Sequence, residues 1–270
     1  MDKRPVGVFD SGLGGLTAVR KLKAVLPGED IIYFGDTARV PYGGHSRETL
    51  LKYARQDMNF LRSFDLKAVL IACGTVSTTA LYQLRKENDI PVLGVVEPTC
   101  RRAVNVTKNK KVGLIATRAS IRSGTYERVI REMDPEVQVL GKACPLFVPL
   151  VENGRVSPGD IVIETVAREY LQELQDAGVD TLILGCTHYP LLMEVIGQVM
   201  GEGVTLVDAG GEAALALRDL LEKEDALSGR EQGECSYYAS DRVEDFERLA
   251  SLFLSEDLHE SAKEINIEQY

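Results

Sequence analysis

Of the five cysteines in this 270-residue sequence, no two form a CxxC pair or any tight spacing. That excludes a disulfide framework and points to reduced thiols in the cytoplasm. No stretch is long and apolar enough to span a bilayer, so no membrane anchor is expected. The opening "MDKRPVGVFD" runs straight into a strand-like segment without the apolar region of a signal peptide. Positive charge is in deficit: 31 lysines and arginines against 41 aspartates and glutamates leave a net charge of −10. Such a surface repels phosphate backbones, which excludes nucleic acid as an expected partner. Low-complexity tracts and a P-loop lysine are also missing. The glycine-rich "DSGLGGLT" lacks the third glycine of a dinucleotide fingerprint, because Thr17 stands there. Asp36 does mimic a ribose-binding acid, so a dehydrogenase is the reading these glycines first invite. They are better read as allowing close backbone packing near a small anion.

What is present is an ordinary globular composition, 44% apolar and 27% charged, able to build a full core. Short β-branched runs alternate with helical periods, the mark of βα units and parallel sheets. Expected strands are Val6–Phe9, Ile31–Phe34, Ala68–Ala72 and Val92–Val96, then Val112–Ala116, Val137–Leu140, Thr181–Leu184 and Val204–Val207. The two sets of four align. "VGVFDS" faces "VGLIAT", "IIYFGD" faces "VQVLGK", and "VLIACGT" faces "LILGCTH". A Val-Pro loop follows the second strand of each set, "VPYGG" from Val40 and "VPLVENG" from Val148. The expected fold is therefore α/β, with two similar doubly wound lobes of mainly parallel sheet and the active site in the cleft between them. Cys100–Lys111 reads as the crossing between lobes. Beyond residue 207, "GGEAALALRDLLEKE" reads as a helix and "CSYYAS" as a strand. "DRVEDFERLASLFL" reads as a helix capped by Asp241 with Glu244. From Ser255 a polar surface helix or frayed tail is expected. The lobes are expected at 1–97 plus 208–270, and at 98–207.

Open parallel sheets bind ligands at the carboxyl ends of their strands. The residues there are Asp10 and Ser11, Tyr42 and Gly43, Cys73 to Thr75, Thr117, Glu152, and Cys186 to His188. Facing lobes would bring them to one cleft. Each cysteine would lie near a helix start, where exposed N–H groups favour a thiolate and can hold a carboxylate. Two thiols on opposite walls suit a reaction with two faces, such as racemisation. An α C–H about 12 pK units weaker than a thiol makes proton transfer uphill by about 16 kcal/mol. That is within the roughly 8–23 kcal/mol that enzymes supply. It requires fixed donors on the substrate carboxylate, which Ser11, Thr75, Thr117, Thr187 and backbone N–H groups could provide.

The segments "GVFDSGLGGLT" (Gly7–Thr17), "YFGDTARVPYGG" (Tyr33–Gly44), "IACGT" (Ile71–Thr75), "CPLFVPLVENG" (Cys144–Gly154) and "LGCTHYPLL" (Leu184–Leu192), in this order, resemble the bacterial glutamate racemases. The resemblance implies a cofactor-independent enzyme that interconverts L- and D-glutamate and supplies D-glutamate for peptidoglycan, commonly as a homodimer. It implies Cys73 as the base acting on D-glutamate and Cys186 as the base acting on L-glutamate. Asp10 and His188 would assist them respectively, with Glu152 nearby. Asp10, Ser11, Tyr42, Gly43, Gly74, Thr75, Thr117, Thr187 and His188 would contact substrate. The family pattern has Asn after the first cysteine where this chain has Gly74. One side-chain contact is therefore missing, and Gly74→Asn is expected to lower KM several-fold at most, or to lose activity if the loop needs backbone angles that only glycine adopts freely.

Other readings use the same residues. A related racemase could act on aspartate or another small acid. Cys73, Cys186, His188 and Asp10 could hold zinc, but they are scattered singles without ligand spacing, so no metal is expected. A cysteine hydrolase would leave one thiol idle, and a ligand-binding protein gives no reason for two. Cys100, Cys144 and Cys235 read as small buried hydrophobes, His45 and His259 as solvated, and Asp36, more readily than Asp10, as a helix cap.

Overall fold

The computed structural model describes residues 1–270 except Arg242, Asp257, His259 and Glu260. The solvated His259 expected from sequence thus lies outside the described residues. So does Arg242, on which the expected cap ahead of the Val243–Leu254 helix depends.

The strands in chain order are β1 (Val6–Asp10), β2 (Ile31–Gly35), β3 (Ala68–Ile71), β4 (Val92–Gly94), β5 (Lys111–Ala116), β6 (Gln138–Ala143), β7 (Thr181–Leu184), β8 (Thr205–Asp208), β9 (Cys235–Ala239) and β10 (Ala262–Glu264). They form two sheets, ordered β10-β9-β2-β1-β3-β4 and β6-β5-β7-β8. Every described pairing is parallel. The order β2-β1-β3-β4 repeats as β6-β5-β7-β8, so the internal duplication read from sequence is a duplication of topology. The central strands are covered by helices on both faces. This is why β1, β3 and β7 are buried at every position and read as unbroken apolar runs.

In each sheet the chain first winds one way from the central strand and then returns to its other side. The switch points fall between β1 and β3, and between β5 and β7. Crevices at such points are the ligand sites of doubly wound sheets. β3 runs through Ala72 into Cys73, and β7 through Gly185 into Cys186. Both thiols therefore stand at the carboxyl edge of a switch point.

Three local expectations are corrected. The "VPLVENG" loop is helical, in Phe147–Glu152. Phe147 and Val151 bury one face, and Pro149 falls in the first turn, where its missing N–H costs nothing. The crossing from Cys100 is helical as far as Val106, because Val96, Cys100 and Ala103 recur on one buried stripe. The described tail holds a short strand and a single 3-10 turn, Ile267–Gln269, in place of a surface helix. β10 pairs with β9 at the sheet edge, with charged Lys263 and Glu264 in it, and Ile267 is buried against the helix Arg47–Leu61 side of the sheet. No described helix is long and apolar enough to cross a membrane.

Candidate active site

A cavity of about 440 Å³ opens between the carboxyl edges of the two sheets. That is within the range of small-ligand sites. Its walls include Ser11, Tyr42, Gly43, Cys73, Gly74 and Thr75 from the first set of elements, and Thr117, Glu152, Cys186, Thr187 and His188 from the second. The structure thus brings together every strand-end residue singled out in the sequence except Asp10. That aspartate is fully buried behind Cys73 and does not line the cavity.

Asp10 ends β1. Its Oδ2 accepts hydrogen bonds from the Gly12 and Gly15 N–H groups at 3.2 and 3.0 Å, while Oδ1 has no partner. Asp10 therefore organises the glycine turn ahead of the Leu16–Val25 helix, the cap-like role expected of Asp36. Asp36 makes no such cap bond. It is drawn instead into a buried ion cluster, with Arg39 Nε donating to its Oδ2 at 2.6 Å. Burial raises the Asp10 carboxyl, with the charge of His188 and the N–H donors opposing.

Cys73 begins the Gly74–Thr79 helix, and its Sγ lies 3.5 Å from Ser11 Oγ. Burial, reinforced by the charge of Asp10, pushes its thiol up to about 12. The helix start was expected to favour a thiolate. Desolvation outweighs it. On the opposite wall His188 Nε2 is 3.0 Å from Glu152 Oε1, and Thr187 Oγ1 is 3.5 Å from His188 Nδ1. Burial disfavours the imidazolium, but the adjacent Cys186 and Glu152 outweigh it and raise His188 to about 10. The Phe253 ring packs edge-on against the imidazole at 5.3 Å.

The two walls touch through small groups. Thr75 Oγ1 and Thr117 Oγ1 are 3.0 Å apart, and Thr17 Oγ1 donates to the Thr187 carbonyl at 3.0 Å. A Cβ on Gly14 would fall 2.1 Å from Thr187 Oγ1, so that glycine admits the opposite wall. A Cβ on Gly74 would fall 2.4 Å from the Gly185 carbonyl oxygen, so the cysteine-bearing loops abut backbone to backbone.

Tyr42 lines the cavity, but its hydroxyl turns away to Asp36 and to Asp57 Oδ2, the latter at 3.1 Å. What it offers a ligand is ring edge or backbone. Cys144, read as a plain core thiol, is buried yet also reaches the wall. Cys100 is fully buried and Cys235 half-buried. Arg118 lines the cavity and was missed; the signal was a cation directly after the strand-end Thr117. Among the described residues no group of three or more His, Cys, Asp or Glu side chains is placed to hold a metal ion.

The Asp/Glu/hydantoin racemase family profile matches residues 17–217. The chain is 47% identical over 255 residues to the glutamate racemase of Geobacter metallireducens, covering 94% of each chain. It belongs to this family, among the glutamate racemases. Two solved family members superpose over nearly the whole length. A glutamate racemase isoform of Bacillus anthracis gives a TM-score of 0.94 at 35% identity, over 98% of both chains. The Francisella tularensis glutamate racemase in complex with D-glutamate gives 0.92 at 38% identity, over 100% of both. In this racemase the equivalent strands β3 and β7 of two like sheets thus each lead into a cysteine that lines a single cavity.

Proposed function

We propose that this chain interconverts L- and D-glutamate by a two-base reaction in which Cys73 and Cys186 face opposite sides of the α-carbon. The observation that carries this is the placement of the two thiols at the same switch point of two like sheets, around one cavity. One cysteine, as thiolate, removes the α-proton. The other, as thiol, delivers its own proton to the opposite face. The thiolate and thiol have then exchanged walls, and no proton or electron is gained or lost. Cys73 serves as the base for D-glutamate and Cys186 for L-glutamate.

Each thiol has a partner suited to managing its proton. Asp10 sits behind Cys73, and His188, held by Glu152, sits beside Cys186. Ser11, Thr75, Thr117, Thr187 and the backbone of Tyr42, Gly43 and Gly74 supply donors for the substrate carboxylates. No cofactor enters the reaction. The Francisella relative's complex with D-glutamate supports glutamate as the ligand. In the same reading the lobes are 1–97 plus 208–270 and 98–207, and the protein acts in the cytoplasm as a homodimer. Its D-glutamate is destined for peptidoglycan.

Incubating the dialysed protein with L-glutamate, with no cofactor added, should bring optical rotation to zero. Aspartate run in parallel should turn over far more slowly. Unchanged rotation with glutamate, or faster turnover of aspartate, would contradict the assignment.

A further inference from the structure

Beneath the cleft wall formed by Val40–Gly44 lies a buried ionic cluster whose charged side chains, Asp36, Arg39 and Asp57, do not line the cavity. Asp36 and Asp57 are both fully buried. Arg39 lies between them, donating from Nε to Asp36 Oδ2 at 2.6 Å, from Nη2 to Asp57 Oδ1 at 2.9 Å, and from Nη1 to Gln56 Oε1 at 2.6 Å. Its guanidinium also stacks 4.3 Å from the centre of the Tyr53 ring. Ser240 Oγ closes the far side of Asp36 at 2.8 Å. The Tyr42 hydroxyl reaches down to both carboxyls.

Two buried carboxyls against one guanidinium would leave an uncompensated charge, which is costly away from water. The phenol also has one proton for two acceptors. A proton held on Asp57 resolves both problems. Burial, then the charge of Asp36, pushes that carboxyl well above its ordinary range, with Arg39 opposing. The buried trio Asp36, Arg39 and Asp57 is then neutral and hydrogen-bonded, with the exposed Glu268 carboxylate 3.7 Å from Arg39 Nη1 at its outer edge and the Tyr42 ring as its upper surface. Directly above, Gly43 meets the other wall: a Cβ there would lie 3.1 Å from Thr117 Cβ.

We propose that Arg39 and Asp57 are positioning residues for the cleft: with Asp36 they grip Tyr42 from below and thereby fix the Tyr42–Gly43 backbone against Thr117. Neither residue touches substrate. A loosened grip lets this wall rise and fall, weakening substrate binding more than it slows proton transfer between the cysteines. The inference rests on the reading of the cavity as the glutamate site.

The test compares wild type with Asp57→Ala, Asp57→Asn and Tyr42→Phe. Asp180→Ala serves as a control for destabilisation far from the cleft; its carboxylate ties Thr107, Lys108 and Asn109 at the amino end of β7. Kinetics in both directions are read together with amide hydrogen exchange over Val40–Gly44. Asp57→Ala should raise KM for both enantiomers about tenfold or more, with kcat within about threefold, and speed exchange in that segment. Asp57→Asn, which supplies an acceptor to Arg39 and a donor to the phenol, should stay within about threefold of wild type. Tyr42→Phe, the smaller deletion, should shift KM in the same direction as Asp57→Ala and stands in for it should that variant not fold. Asp180→Ala should lower the melting temperature without moving KM. A folded Asp57→Ala or Tyr42→Phe with wild-type KM and wild-type exchange would overturn the proposal. Absence of racemisation in wild type would overturn the site reading instead, and the exchange measurement would still decide this one.

Discussion

His188 shows how single residues carry the chemistry through their surroundings. Buried alone it would be a weak base, kept neutral by desolvation. With Cys186 and Glu152 on either side it is raised to about 10 and stays protonated through neutral pH. A group whose folded pKa is raised stabilises the fold fully below its unfolded value near 6.5, and that contribution is lost as pH climbs through the folded value. Glu152→Gln removes one of the two raising partners. NMR titration of the ring should show the His188 midpoint falling. The stability difference from wild type should persist through neutral pH and close as pH passes about 10. An unmoved midpoint would mean that Glu152 does not hold the imidazole. Only three histidines are present, so the assignment is tractable.

At the scale of elements, the loops after β3 and β7 decide what the site tolerates. Sequence comparison alone suggests that Gly74→Asn restores a substrate contact and lowers KM. The geometry replaces that expectation: the new Cβ would press on the Gly185 carbonyl, which is backbone and cannot step aside alone. Overpacking of this kind costs about 1–3 kcal/mol. Gly74→Asn should therefore lower both kcat and the melting temperature. Gly44→Ala, in open space on the same cleft, should leave the melting temperature unchanged. A lowered KM with unchanged kcat and stability in Gly74→Asn would refute the steric account.

The strand ends were legible in the sequence because buried parallel strands must be apolar throughout, so each run stops where the cleft begins. Cys73, Thr117 and Cys186 follow from that rule. Side-chain direction did not. Nothing local reveals that Asp10 turns back to the Gly12 and Gly15 amides, or that the Tyr42 hydroxyl faces two aspartates, because the partners are set by tertiary packing. The Phe147–Glu152 helix was hidden by Pro149, a breaker everywhere but a first turn. β10 was hidden by its polarity, normal for an edge strand of three residues.

Across the whole molecule, the end of the six-stranded sheet opposite the cleft is held by buried charge. Lys67 forms a salt bridge with Glu29, both nearly inaccessible. Its ammonium also donates to the Asp2 and Ala226 carbonyls at 2.7 and 2.8 Å, and Glu29 Oε1 accepts from the Ser228 N–H at 2.8 Å. One ion pair thus joins the N-terminal segment, the approach to β3 and the connection into β9. Lys67→Met strands a buried carboxylate, at about 3–5 kcal/mol. The melting temperature should fall by roughly 6–20 °C, while the KM of the folded enzyme stays unchanged. Adding Glu29→Leu should recover part of the loss. Equal melting temperatures for Lys67→Met and wild type would show that the pair does not stitch these segments.

The central claim is that two thiols on opposite walls act on opposite faces of one carbon. Its most direct test is the early course of racemisation in deuterated water, followed by mass and chirality together. Each turnover should place solvent deuterium at the α-carbon of the product enantiomer, while the remaining substrate stays protiated. Cys73→Ala and Cys186→Ala should each abolish racemisation, and Cys235→Ala should not. Early deuterium in both enantiomers alike, or near wild-type racemisation by either active-site variant, would contradict the two-base account.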